Sequence, residues 1–158
     1  MRDVRLPESS CTLRAEVWFR DLDAMGHVNN AVFFTYFEQV RTRYWLTLLG
    51  EAPGEPDLSR ISFLVVHAEC DYASPAFLGE RLLIGCRITE VRRTSFVFEY
   101  RVVAAGTDAS DAEVRPVATG KSVQVLYSWA EKKPILVSEE LKKKIEAREG
   151  PGVRFRAG

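Results

Sequence analysis

Apolar and polar positions change rhythm several times along the chain, and each change marks an element. From Cys11 to Phe19 the odd positions Cys11, Leu13, Ala15, Val17 and Phe19 are apolar, while Thr12, Arg14, Glu16 and Arg20 are polar and Trp18 breaks the rule. A period of two predicts a strand with one covered face. After a polar stretch, Phe33, Phe37, Val40, Tyr44 and Leu48 recur at helical spacing, and Val32, Phe34, Tyr36, Trp45 and Leu49 widen the stripe. Polar Thr35, Glu38, Gln39, Arg41 and Thr42 hold only a narrow arc, so this helix is expected to be enclosed on most sides. Asn29 or Asn30 is its candidate N-cap and Gly50 its stop signal.

Beyond the loop EAPGEPDLSR, four further stretches read as strands: ISFLVVHAECDYA, RLLIGCRITEV, TSFVFEYRVVA and RPVATGKSVQVLYSWA. In the second and third the even positions Leu82, Ile84, Cys86, Ile88 and Phe96, Phe98, Tyr100, Val102 are apolar, the pattern of a meander with one face on a core. The link VRRTS (Val91 to Ser95) is short enough for a hairpin, and AGTDASDAE (Ala105 to Glu113) reads as a longer exposed loop. In SEELKKKIEAR, Ser138 precedes two acids and Leu141 pairs with Ile145, which predicts a short peripheral helix over about 138–148. The order predicts an α+β domain: a five-stranded curved antiparallel sheet around one long central helix, with a short C-terminal helix.

A chain of 158 residues, 46% hydrophobic, supports one core, so residues 1–158 are read as a single domain with its core over about 11–130. Lys plus Arg equals Asp plus Glu at 22 each, so no overall basic field recruits nucleic acid or an anionic membrane. An anionic ligand must be caught locally. Cys11, Cys70 and Cys86 are widely spaced without a C-x-x-C pair, which fits buried thiols in a reducing compartment. The first ten residues contain no apolar h-region, and no window approaches the ~18 apolar residues of a membrane span; the expected location is the cytoplasm. Neither a G-x-S-x-G elbow nor metal-ligand spacing occurs, and no metal or cofactor is expected.

The cluster DLDAMGHVNN (Asp21 to Asn30) runs directly into AVFFTYFEQVR. This loop and helix, with the order of elements, resemble the hot dog fold acyl-CoA thioesterases of the 4-hydroxybenzoyl-CoA thioesterase type. A second block, VVHAECDYASPAFLGERLLI, is similar to the family's stretch at Tyr72, Pro75 and Gly79. The resemblance covers about Leu13 to Ala130. It implies that Asp23, the second aspartate of the D-x-D pair, is the catalytic carboxylate. It also implies that the backbone N–H at the start of the helix, on Asn30 with Ala31 as its neighbour, polarises the thioester carbonyl. The run HVNN departs from the aryl-CoA type and resembles fatty-acyl members, so aryl specificity does not carry over.

Physical chemistry gives that juxtaposition a purpose. A helix N-terminus offers about half a positive charge and several unpaired N–H donors, so a thioester carbonyl docked there would have its oxyanion stabilised. A carboxylate at the same place could attack that carbonyl or activate water. The bland use of Asp23 is an Asx-turn or helix cap. Asp21 is the rival carboxylate and otherwise a structural acceptor. His27 either orients substrate and Asp23 or satisfies loop backbone. Asn29 and Asn30 read first as caps. Glu38, in apolar company, needs a partner such as a loop amide or Arg41; the resemblance to thioesterases that use a helix glutamate implies it as the backup catalyst. Arg92 and Arg93 either bind coenzyme A phosphates or solvate a hairpin tip. His67 reads as a core or interface histidine.

The first functional reading is an acyl-CoA thioesterase with coenzyme A as part of the substrate; the others are an acyl-thioester hydratase or dehydratase, and a non-catalytic acyl-CoA binding module. Exposed sheet edges call for cover, and the resemblance implies a homodimer or homotetramer with the site at the subunit interface.

Overall fold

A computed structural model describes residues 9–105 and 114–157. Five long strands form one antiparallel sheet: β1 (Cys11–Glu16), β2 (Phe63–Tyr72), β3 (Arg81–Val91), β4 (Ser95–Ala105) and β5 (Val114–Ser128), in the spatial order β1-β3-β4-β5-β2. Two two-residue strands extend it. β6 (Lys133–Pro134) pairs with β5, and β7 (Arg154–Phe155) pairs with β3 in parallel. Helix α1 (Val32–Leu48) crosses the concave face and α2 (Glu139–Glu149) lies at the periphery. This is the hot dog arrangement expected. Residues 106–113 of the long loop fall outside the described residues.

The meander forms as its alternation predicts. Leu82, Ile84, Cys86 and Ile88 of β3 and Phe96, Phe98, Tyr100 and Val102 of β4 are all buried. Helix and sheet meet ring to ring: Phe37 stacks on Tyr100 at 4.4 Å, Tyr44 meets Phe98 edge-on at 5.0 Å and Trp45 stacks on Phe96 at 5.1 Å. Going along α1 from Phe37 to Tyr44 and Trp45, the partners on β4 run backwards from Tyr100 to Phe98 and Phe96, which fixes the direction of the helix across the strand. At Gly120, opposite Tyr100, an added Cβ would overlap the Phe37 ring, so the absence of a side chain there lets the helix approach β5.

Two expectations need correction. α1 is not enclosed on most sides within one chain. Phe33, Tyr36, Phe37, Val40, Arg41, Tyr44 and Trp45 are buried, whereas Phe34, Thr35, Glu38 and Gln39 face outward, because five strands curl over one side of the helix only. The first strand ends at Glu16, and Phe19 is 80% exposed, because the chain turns there into a single 3-10 turn, Phe19–Asp21. Cys11 and Cys86 sit opposite each other in the β1–β3 register, both buried; all three cysteines are free. Among the described residues no helix is long and apolar enough to cross a membrane.

Candidate active site

The polar cluster folds as a tight loop pinned at several levels. Leu22 and Val28 form an antiparallel bridge, Asp23 N–H donates to the His27 carbonyl at 2.9 Å, and Gly26 N–H donates to the Asp23 carbonyl at 3.1 Å. Gly26 makes this turn with φ of 82°, a conformation that penalises a side chain. Val28 is buried and acts as the peg of the loop, its N–H donating to the Ala76 carbonyl at 2.9 Å. His27 bridges to Phe77. Asn29 N–H donates to the Asp21 carbonyl at 2.9 Å, closing the loop immediately ahead of α1.

Asp23 sits in the turn with its side chain 18% exposed. Its Oδ1 accepts Met25 N–H at 2.9 Å, the Asx-turn contact, and its Oδ2 lies 3.4 Å from His27 Nδ1. The structural use of Asp23 therefore occupies one oxygen and leaves the other beside the imidazole. Asp21 is engaged differently. Its Oδ2 accepts Trp18 N–H at 3.2 Å, holding the 3-10 turn, and its carboxylate faces Tyr36, whose phenol pKa is pushed up to about 12 by burial and then by the Asp21 charge.

The helix start distinguishes its two expected donors. The N-cap position of α1 is Ala31, with no side-chain cap, so neither Asn29 nor Asn30 caps the helix as expected. Asn29 Oδ1 instead accepts Ala31 N–H at 2.9 Å in an Asx-turn just ahead of it, and Ala31 N–H is already paired. Asn30 N–H has no partner among the described residues. The Asn30 carbonyl accepts the Tyr72 hydroxyl at 2.9 Å, and the Tyr72 ring meets Phe33 edge-on at 5.3 Å, so the end of β2 holds the peptide that leads into the helix and its first turn. The Tyr72 contact spans 42 residues and has no local signal in the sequence.

Glu38 is not in apolar company: its side chain is 69% exposed, on the open side of α1, and its Oε2 is 3.9 Å from Arg41 Nη2. Arg41 itself is buried and donates from Nη1 to the Tyr100 hydroxyl at 3.1 Å. His67 is exposed on the sheet edge, paired with Glu69 at 3.0 Å, and is no core residue. Arg92 and Arg93 are not brought to the Asp23 loop of the same chain. They lie beyond Val91, at the other end of β3, whose length of about 35 Å separates the two sites. There Arg92 Nε is 2.5 Å from Glu90 Oε1, while Arg154 and Arg156 each lie 3.3 Å from Glu90 Oε2. Hydrogen bonding from Arg92 comes first among the causes that hold the Glu90 carboxyl below the usual range. The two C-terminal arginines were not foreseen, because β7 reaches this place only through its pairing with β3.

The family model of the thioesterase superfamily matches residues 25–111, more than half of the chain, beginning two residues after Asp23 and including all of α1. The chain belongs to that superfamily. As a thioesterase it is 28% identical over 121 residues to the acyl-CoA thioesterase YbgC of Haemophilus influenzae, covering 70% of this chain and 89% of that protein. A thioesterase of Thermus thermophilus, solved with coenzyme A and zinc, shares 34% identity at a TM-score of 0.76, covering 92% of this chain and 98% of the other. The 4-hydroxybenzoyl-CoA thioesterase of a Pseudomonas species has a TM-score of 0.69 at 18% identity over 84% of this thioesterase and 96% of its own chain, a likeness of fold.

Proposed function

We propose that this thioesterase hydrolyses acyl-CoA thioesters at the loop between β1 and α1, with Asp23 as general base or nucleophile. The observation that carries the reading is a loop that holds both a carboxylate with one oxygen beside His27 and, two residues ahead of a 17-residue helix, an Asn30 N–H without a partner among the described residues. The thioester carbonyl oxygen would accept from Asn30 N–H, where the helix dipole favours developing negative charge. With Asp23 as base, its carboxylate takes a proton from water as the oxygen attacks the acyl carbon; the C–S bond then breaks and the coenzyme A thiolate leaves. With Asp23 as nucleophile, its oxygen attacks the acyl carbon, the C–S bond breaks as the coenzyme A thiolate leaves, and water then cleaves the resulting acyl-enzyme anhydride to the acid and the free Asp23 carboxylate. His27 orients the carboxylate. Coenzyme A enters as part of the substrate, and the reading calls for no cofactor.

The relatives support the substrate class: one is named an acyl-CoA thioesterase and one was solved with coenzyme A. Three arginines around the carboxylate of Glu90, namely Arg92, Arg154 and Arg156, with Arg93 next to Arg92 in the chain, would supply the local positive charge for coenzyme A phosphates that a neutral chain otherwise lacks. Since about 35 Å of β3 separates them from their own Asp23, they would serve the loop of a second copy, in a homodimer or a homotetramer built from it. The test is thiol release from a panel of acyl-CoAs. Wild type is expected to turn over at least one, and Asp23→Asn to lose 10²- to 10⁴-fold in kcat with folding intact. Tight acyl-CoA binding without release by wild type would sink the reading, and full activity in Asp23→Asn would move the carboxylate role to Asp21 or Glu38.

A further inference from the structure

The Asp23 loop does not hold itself; it hangs on the segment between β2 and β3, and that segment is gripped by one guanidinium. Arg115, near the start of β5, donates from Nη1 to Ser74 Oγ and to the Pro75 carbonyl, each at 2.6 Å. From Nη2 it donates to both oxygens of Glu80, at 2.7 and 2.9 Å. Glu80 Oε2 also accepts Phe77 N–H at 2.9 Å, and Glu80 N–H donates to the Phe77 carbonyl at 3.1 Å. One side chain therefore ties together both ends of the turn 74–80.

The other side of the same turn carries both ends of the Asp23 loop. Where the chain enters the loop, Val17 N–H donates to the Glu80 carbonyl and Gly79 N–H to the Val17 carbonyl, both at 2.9 Å. Where it leaves, Val28 N–H donates to the Ala76 carbonyl and His27 bridges to Phe77. Arg115 and Glu80 touch neither Asp23 nor His27 and lie on elements that the site chemistry does not use. Arg115 is only partly exposed, and its side-chain hydrogen bonds among the described residues all go to the segment that carries the Asp23 loop.

We infer that Arg115, with Glu80, is a positioning residue for the reaction at Asp23: the fork sets the height and angle at which the loop presents its carboxylate to the helix start. Lysine cannot replace it. A single ammonium reaches one or two of these four acceptors, whereas the planar guanidinium reaches all of them at once. A displacement of about 1 Å at a reacting group is enough to reduce turnover by about 10²-fold.

The inference rests on the Asp23 reading for its effect on catalysis, so the experiment has one readout that depends on that reading and one that does not. In the full-length protein, Arg115→Lys and Glu80→Gln are compared with wild type for thiol release and for amide hydrogen exchange. The expected result is a 10- to 100-fold fall in kcat with KM changed less than threefold. Faster exchange is expected at Asp23, Val28 and Asn29, with β4 amides unchanged. Added guanidinium is expected to restore part of kcat in Arg115→Ala. Should Asp23 prove not to be the carboxylate, the local exchange change still upholds the clamp. Both variants keeping kcat within twofold where Asp23→Asn loses turnover, leaving exchange at Asp23, Val28 and Asn29 unchanged, or losing protection uniformly across the sheet, would overturn the inference and leave Arg115 as an ordinary stabilising contact.

Discussion

At the scale of single residues, two aspartates two positions apart have been given different work. Asp21 holds the Trp18 N–H and faces Tyr36, while Asp23 stands in the turn with His27. Asp21→Asn keeps an acceptor oxygen of the same shape, so thiol release is expected within threefold of wild type, against a loss of 10² or more for Asp23→Asn. Comparable losses in both variants would mean that the loop needs both charges. The sequence alone showed the cluster, because residues 21–30 are contiguous, but the choice between the aspartates rested on resemblance to a family. That Ala31 N–H is paired while Asn30 N–H is not was not legible at all: it depends on the Asn29 side chain turning onto Ala31. The grip of Arg115 was equally hidden, since its partners are 35 to 41 residues away and an arginine early in a strand carries no local signature.

At the scale of elements, alternation and helical spacing were sufficient where an element has one face on the core. β3, β4 and α2 formed where the pattern put them, and Ser138 Oγ accepts Leu141 N–H at 3.1 Å as its cap position implies. What the pattern could not convey is how elements finish each other's edges. β1 covers β3 only from Arg81 to Cys86; beyond that, Glu149 of α2 takes the next free donor and β7 the rest. Glu149 Oε1 accepts from Ile88 N–H at 2.9 Å, Ser10 Oγ at 2.7 Å and the Tyr44 hydroxyl at 2.6 Å. Glu149→Ala would leave the buried Tyr44 hydroxyl and a strand amide without an acceptor. The expected cost is about 3 kcal/mol in urea unfolding, and Tyr44→Phe in the same background should recover part of it, since one orphaned group is then removed. A loss below 1 kcal/mol would show that water reaches these donors.

At the scale of the whole molecule, the open side of α1 and the free edge of the sheet are parts of one surface. Tyr72 at one end of β2 contacts Phe33, and Phe63 at the other contacts Trp45, so helix and edge strand run side by side. The edge exposes Leu64, Val65 and Val66 in succession, and neither a proline nor a lysine on β2 blunts it. The all-round apolar pattern of α1 overshot within one chain because its remaining side, including Phe34, is left for something else to cover. Edge-to-edge pairing of two β2 strands in the proposed homodimer would cover that surface and bring the arginines of one copy toward the Asp23 loop of the other. Val66 is 60% exposed, so Val66→Lys places a charge on the edge without disturbing the core. Light scattering is expected to give twice the 17.9 kDa chain mass, or four times it for a tetramer, for wild type and the single-chain mass for the variant. If each site needs both copies, the monomeric variant should also lose thiol release while keeping its thermal unfolding cooperative. A monomer that turns over acyl-CoA at the wild-type rate would place every group the reaction needs within a single chain.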